Sequence, residues 1–142
     1  MSPTKTVATA LTIPLLTPWM AGPSDPVGGP VVVSVTEYQA HHRRELPGVA
    51  LRGWRMRAGW YAMRGAVGVW LWSIPATARA GSISVWVGED DLKQFVTLPH
   101  HVDIMARYGG RGTVRSTLWH VEPFDPAATI DRARAWIAEE SA

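Results

Sequence analysis

The sequence contains no cysteine in 142 residues. That excludes disulfides, thiolate nucleophiles, iron–sulfur ligation and cysteine-bound zinc, and it suits a reducing, cytoplasmic setting. Also missing are a phosphate loop, the glycine fingerprint of a dinucleotide site and a Gly-x-Ser-x-Gly nucleophile turn. Gly109, Gly110 and Gly112 fall between a helix-like and a strand-like stretch, so they read as a turn. Lysine is scarce, only Lys5 and Lys93, and the net charge is +2 with the arginines spread along the chain. No nucleic-acid partner is expected from so dispersed a charge. The densest run, Arg52, Arg55, Arg57 and Arg64, reads as a solvated helix face. Long apolar runs are absent too. The start, Lys5 followed by Val7 to Leu16, is interrupted by Thr9, Thr12 and Pro14 and reads as an arm or short strand. Nothing approaches the roughly 20 apolar residues of a membrane span, and no membrane partner is expected.

What is abundant is tryptophan, eight residues of it. An indole offers a wide apolar body with one N–H donor, so clusters of indoles build cores and also line pockets for flat ligands.

Residues 1–30 read as a Pro/Gly-rich arm and 31–142 as a single domain. Val31 to Tyr38 is β-branched and short, a strand. Pro47 opens a helix to about Met63, with Leu51, Trp54, Ala58 and Tyr61 near spacings of three and four. Gly48, Gly53 and Gly59 weaken that helix by on the order of 1 kcal/mol each unless sheet or ligand approaches closely there. Val67 to Ile74 alternates, with Val67, Val69 and Leu71 opposite Trp70 and Trp72. Ser82 to Val87 alternates again, placing Ser82, Ser84 and Trp86 on one side. Glu89, Asp90 and Asp91 start a helix that Pro99 kinks or restarts and Gly109 stops. Thr113 to Val121 is a fourth strand, with Arg115, Thr117 and Trp119 on one face and Ser116, Leu118 and His120 on the other. Asp125 and Pro126 cap a last helix whose inner face is Ile130, Ala133 and Ile137.

The order strand, helix, strand, strand, helix, strand predicts an α+β, ferredoxin-like βαββαβ domain with an antiparallel four-stranded sheet and an added C-terminal helix. Helices on one side leave the other face bare. That face is expected to carry Trp70, Trp72, Trp86 and Trp119 and to be covered by a second copy of the sheet, giving a homodimeric α/β barrel.

Ser82 to Met105, SISVWVGEDDLKQFVTLPHHVDIM, resembles a segment of dimeric α/β-barrel proteins of the antibiotic-biosynthesis monooxygenase kind and of spheroidene monooxygenase-like proteins. The features that carry the resemblance are Ser84, Trp86, Glu89, Phe95, His101 and Met105. The resemblance implies a small-molecule oxidoreductase, although that superfamily also holds haem enzymes, isomerases and proteins without known activity.

His101 is four residues before Met105 and shares its helix face, directed at core or cavity. It suits acid/base or substrate-orienting work, ligation of a metal or haem, or a structural role. His100 points elsewhere and reads as a surface group; His41, His42 and Glu45 lie beside Arg43 and Arg44, which suits a solvated turn better than a cation site. Arg115 either stabilises an enolate or phenolate beside the indoles or pairs with an acid across a dimer.

The leading expectation is a cofactor-independent, monooxygenase-like enzyme acting on an apolar aromatic or polyene-like substrate. His101 and Arg115 are its catalytic residues, and Trp70, Trp72, Ser84, Trp86, Phe95, Met105 and Trp119 line its substrate site. No metal or cofactor is expected. The alternatives are a haem protein with His101 or His120 as axial ligand, and a non-catalytic dimer that binds an apolar ligand.

Overall fold

Alternating β-branched residues in Val31–Ala40 build the central strand of the sheet, which is buried along nearly its whole length. The computed structural model describes residues 13–139, without the side chain of His100. In chain order the elements are β1 (Leu15–Leu16), β2 (Met20–Ala21), β3 (Val31–Ala40), α1 (Leu46–Ala58), β4 (Ala66–Ile74), β5 (Arg79–Trp86), α2 (Glu89–Val96), α3 (Pro99–Tyr108), β6 (Gly112–Val121) and α4 (Pro126–Ala138). The four long strands run antiparallel in the order β4, β5, β3, β6. The expected α+β, ferredoxin-like fold is what the chain adopts.

Residues 1–12 of the arm, with most of the stretch from Lys5 to Leu16, lie outside the described residues; its described part is more than a loop. Its two-residue strands β1 and β2 both pair with β4 and extend that edge of the sheet. The Pro99 break yields two helices, because a proline bars the residue before it from helical backbone, and Leu98 is extended at ψ 143°. Asp125 caps α4 by accepting from the Ala128 N–H at 3.2 Å.

Alternation divides the sheet into two unlike faces. Toward α4 point Val31, Val33, Val35, Ile83, Val85, Trp70, Trp72 and Trp119, packed against Ala133 and Ile137 of the helix. Trp19 of the arm lies over Trp70, with ring centroids 4.3 Å apart. The face expected to be bare is therefore covered by the chain's own arm and last helix. The exposed-indole argument for a twin subunit does not hold on this geometry.

Trp86 is on the opposite face, buried with Trp60, Phe95 and Val32 under α1 and α2. Val67 also departs from its expected side. A bulge between Ala66 and Gly68 inserts one residue, so Val67 joins Trp70 and Trp72 while Ala66 and Val69 face the helices.

The apolar spacing read from the sequence on α1 is not the stripe that packs inward. Leu46, Val49 and Met56 pack inward, whereas Leu51, Trp54, Ala58 and Tyr61 are exposed. Its glycines admit close approach: a methyl group at Gly48 would collide with the Tyr108 hydroxyl.

A buried ionic cluster fastens α4. Glu37 on β3 accepts from Arg79 on β5 and from Arg115 on β6, the latter at 2.7 Å. Both guanidinium groups also donate to the Ile137 carbonyl at the end of α4, and Arg115 reaches Trp136 O at 3.2 Å. Cations at a helix C-terminus satisfy carbonyls that have no partner within the helix.

Candidate active site

In the middle of its helix-facing side the sheet carries small hydroxyl side chains where a core would carry aliphatic ones. Register brings them into rows. Ser116, Thr36 and Ser82 stand side by side across β6, β3 and β5, and the next row is Leu118, Ser34 and Ser84. These short side chains leave α1, α2 and α3 separated from the sheet by a cleft of about 930 Å³. Its roof is apolar, supplied by Val49, Met56, Leu92, Phe95, Ile104 and Met105. Among the described lining residues Lys93 alone carries a permanent charge.

His101 on α3 forms part of the wall and also borders a smaller chamber of about 200 Å³, shared with Met56, Met63 and Phe95. Its ring meets Phe95 edge-on at 4.9 Å between centroids. Phe95 in turn lies 5.3 Å from Trp86, whose indole N–H donates to Ser84 Oγ at 2.9 Å. Ser84 Oγ is 3.5 Å from the Ser34 carbonyl, the outer limit of a hydrogen bond. The Ser84 hydroxyl accepts from the indole and donates its proton only over that long bond to the Ser34 carbonyl, which a ligand oxygen in the cleft can displace.

The residues expected at the site divide between the faces. His101, Ser84, Phe95 and Met105 line the cleft, and Trp86 stands behind Ser84. Trp72 borders the cleft, but its indole belongs to the α4 side. Trp70 and Trp119 lie in the α4 core, away from the cleft. Arg115 is there too, bound to Glu37 of its own chain, so neither expectation for it holds: it stabilises no anion in the cleft, and its acid is not across a dimer. His120 is exposed and stands 3.8 Å from Glu89, outside the cleft lining. Missed from the sequence were Ser34, Thr36, Ser82 and Ser116. Their signal was the recurrence of hydroxyls at alternate positions in three strands.

The Tyr38 hydroxyl, at the cleft end under α3, donates to the Tyr108 carbonyl at 3.1 Å. Its pKa is raised above the ordinary tyrosine value, first by burial, then by the charge of Glu45 and by Tyr108, against a lowering by Arg111.

Two further expectations can be placed. His42 precedes a 3-10 turn over Arg43–Glu45. Among the described residues no group of three or more His, Cys, Asp or Glu side chains is placed to hold a metal ion. No helix among them is long and apolar enough to cross a membrane.

No family model matches the chain, and no curated protein matches it. Solved structures do. A Lactobacillus acidophilus protein provisionally assigned as a monooxygenase aligns over 75% of this chain and 50% of its own, at 13% identity and a TM-score of 0.58. SnoaB, a cofactor-independent oxygenase from Streptomyces nogalater, aligns over 68% of this chain and 97% of its own, at 18% identity and a TM-score of 0.52. A Listeria monocytogenes ferredoxin-fold protein related to antibiotic biosynthesis monooxygenases aligns over 65% and 57%, at 20% identity and a TM-score of 0.51. The chain thus spans half of the Lactobacillus protein's length and more than half of the Listeria protein's. At these identities the shared property is the ferredoxin-like fold.

Proposed function

We propose that the chain is a small-molecule oxidoreductase of the oxygenase kind, which takes a flat, largely uncharged aromatic or polyene-like substrate into the cleft. The carrying observation is the pairing in one cleft of an imidazole, His101, with an indole-polarised hydroxyl, Ser84. The fold shared with a cofactor-independent oxygenase supports the reading by analogy.

In this reading His101 accepts a proton from an acidic C–H or O–H of the substrate. The bonding pair stays on the substrate as an enolate or phenolate, and the Ser84 hydroxyl donates to the resulting oxyanion. Dioxygen, the co-substrate, takes an electron pair from that anion as the new C–O bond forms; the resulting peroxide takes the proton back from His101, and its O–O bond breaks with loss of the second oxygen atom as water. The apolar roof excludes water and strengthens both interactions. Ser84 replaces Arg115 in the anion-stabilising role expected from the sequence.

Haem fits the lining poorly. A porphyrin brings two carboxylates, and the described lining offers one ammonium, Lys93, and no arginine. His120, the other expected ligand, is on the surface.

The test is oxygen uptake over a panel of phenolic, quinol and polyene substrates, with wild type, His101→Ala and His101→Gln. Both variants should lose at least about 100-fold in kcat while still binding substrate. Undiminished uptake by His101→Ala on a substrate that the wild type oxidises overturns the assignment.

A further inference from the structure

Helix α1 carries two apolar stripes, offset alternately by one and two residues. Leu46, Val49, Gly53 and Met56 face the sheet, and a step of one residue turns a helix by 100°. Pro47, Leu51, Trp54, Ala58 and then Tyr61 repeat the same spacing facing outward. Leu51 is 50% exposed, Trp54 49% and Tyr61 68%. On the neighbouring arm Ile13 and Leu15 are exposed as well, and Leu15 borders the same cleft as Leu51 and Trp54.

The charge around this apolar face is predominantly positive, although Arg52 is paired with Asp103 of α3 at 3.7 Å. Between residues 43 and 64 stand six arginines (43, 44, 52, 55, 57 and 64) and a single acid, Glu45. Glu45 is itself paired with Arg111 at 3.2 Å. Arg57 lies over the Trp54 ring at 4.6 Å and donates to Pro18 O, fixing the indole at the rim; Arg55 and Arg64 are exposed. Aliphatic side chains at the centre, an indole and a phenol beside them and arginines around them match the layered polarity of a bilayer interface.

We infer that the outward face of α1, with Tyr61 and the arm residues Ile13 and Leu15, docks on an anionic lipid surface. A second copy of the chain fits worse, because two-fold pairing through this face would set the arginine cluster against itself. A polyphosphate chain fits worse too, having no use for the exposed leucines and isoleucine. The docked helix lies in the interface and needs no spanning segment. The surface stands without the catalytic reading; only the further step, that an apolar substrate enters the cleft from lipid past Leu51 and Trp54, rests on it.

Flotation of the full chain with vesicles of phosphatidylglycerol and phosphatidylcholine, against phosphatidylcholine alone, tests the surface. Association is expected with the anionic vesicles and should fall at high salt. The double variant Arg55→Gln/Arg64→Gln should bind roughly thirtyfold more weakly, and Leu51→Ser/Trp54→Ser should also lose binding, both with unchanged melting because the sites are on the surface. His101→Ala should float as wild type does, which separates this result from the fate of the catalytic assignment. No association with anionic vesicles, or association untouched by both double variants, overturns the inference. So does a native mass spectrum in which wild type is dimeric and Leu51→Ser/Trp54→Ser monomeric.

Discussion

The Trp86 indole N–H points at Ser84 Oγ across 2.9 Å, two residues back on the same face of one strand. Buried indoles need an acceptor, and here the acceptor is a side chain on the cleft floor. A core contact and a ligand contact thus meet at one oxygen atom.

Ser84→Ala removes the acceptor and leaves the Trp86 N–H buried without a partner, at a cost of about 1–3 kcal/mol. Ser84→Thr keeps the hydroxyl. Turnover should fall by on the order of 100-fold in the alanine variant and recover substantially in the threonine variant. Equal activity in all three proteins would show that Ser84 serves Trp86 alone. Melting and kcat measured together make the distinction.

Addition of haemin should produce no Soret band that depends on His101. The lining has an imidazole but lacks the cations two propionates need. A stoichiometric Soret shift, lost in His101→Ala and retained in His120→Ala, would replace the oxygenase reading with a haem one.

Glu37→Gln should destabilise the chain by about 3–5 kcal/mol, because Arg79 and Arg115 then keep buried positive charge without its counter-ion. Denaturant unfolding measures this directly. The ends of α4 should loosen first, visible as faster amide exchange near Ile137, whose carbonyl both arginines hold.

Stability should fall as the solution is made alkaline beyond the ordinary tyrosine range. The raised pKa means that folded Tyr38 holds its proton where the unfolded chain has lost it. The stabilisation is therefore complete below the unfolded value, near 10, and is lost as pH rises toward the folded one. Tyr38→Phe should flatten this alkaline limb while lowering stability at neutral pH, since the bond to Tyr108 O disappears. Urea midpoints against pH for the two proteins provide the check.

The order of elements was legible because each strand and helix advertised itself locally: β-branched alternation in 31–38, the acids at 89–91, the Asp125-Pro126 cap. Sidedness was harder. On α1 both Leu46-Val49-Gly53-Met56 and Pro47-Leu51-Trp54-Ala58 satisfy the helical period, so spacing alone could not say which stripe faces the sheet. On β4 the bulge reverses the alternation for the residues before Gly68, Val67 among them. Cross-strand register is a long-range property, and it separates Arg115, opposite Glu37, from Ser84, opposite Ser34. That is why an arginine and a serine expected to converge lie on opposite sides of the sheet. His101 was legible from its helix position beside Phe95 and Met105, whereas the hydroxyl rows emerge only when three strands are aligned.

The α4 side of the sheet is packed with aliphatic and indole side chains, while the middle of the cleft side carries serines and threonines. Replacing a floor hydroxyl removes little buried hydrocarbon, so it leaves the fold nearly intact while reshaping what the cleft accepts. Ligand preference in such a scaffold can drift by single substitutions at 34, 36, 82 or 116, with the tightly packed α4 side holding the chain together through each change.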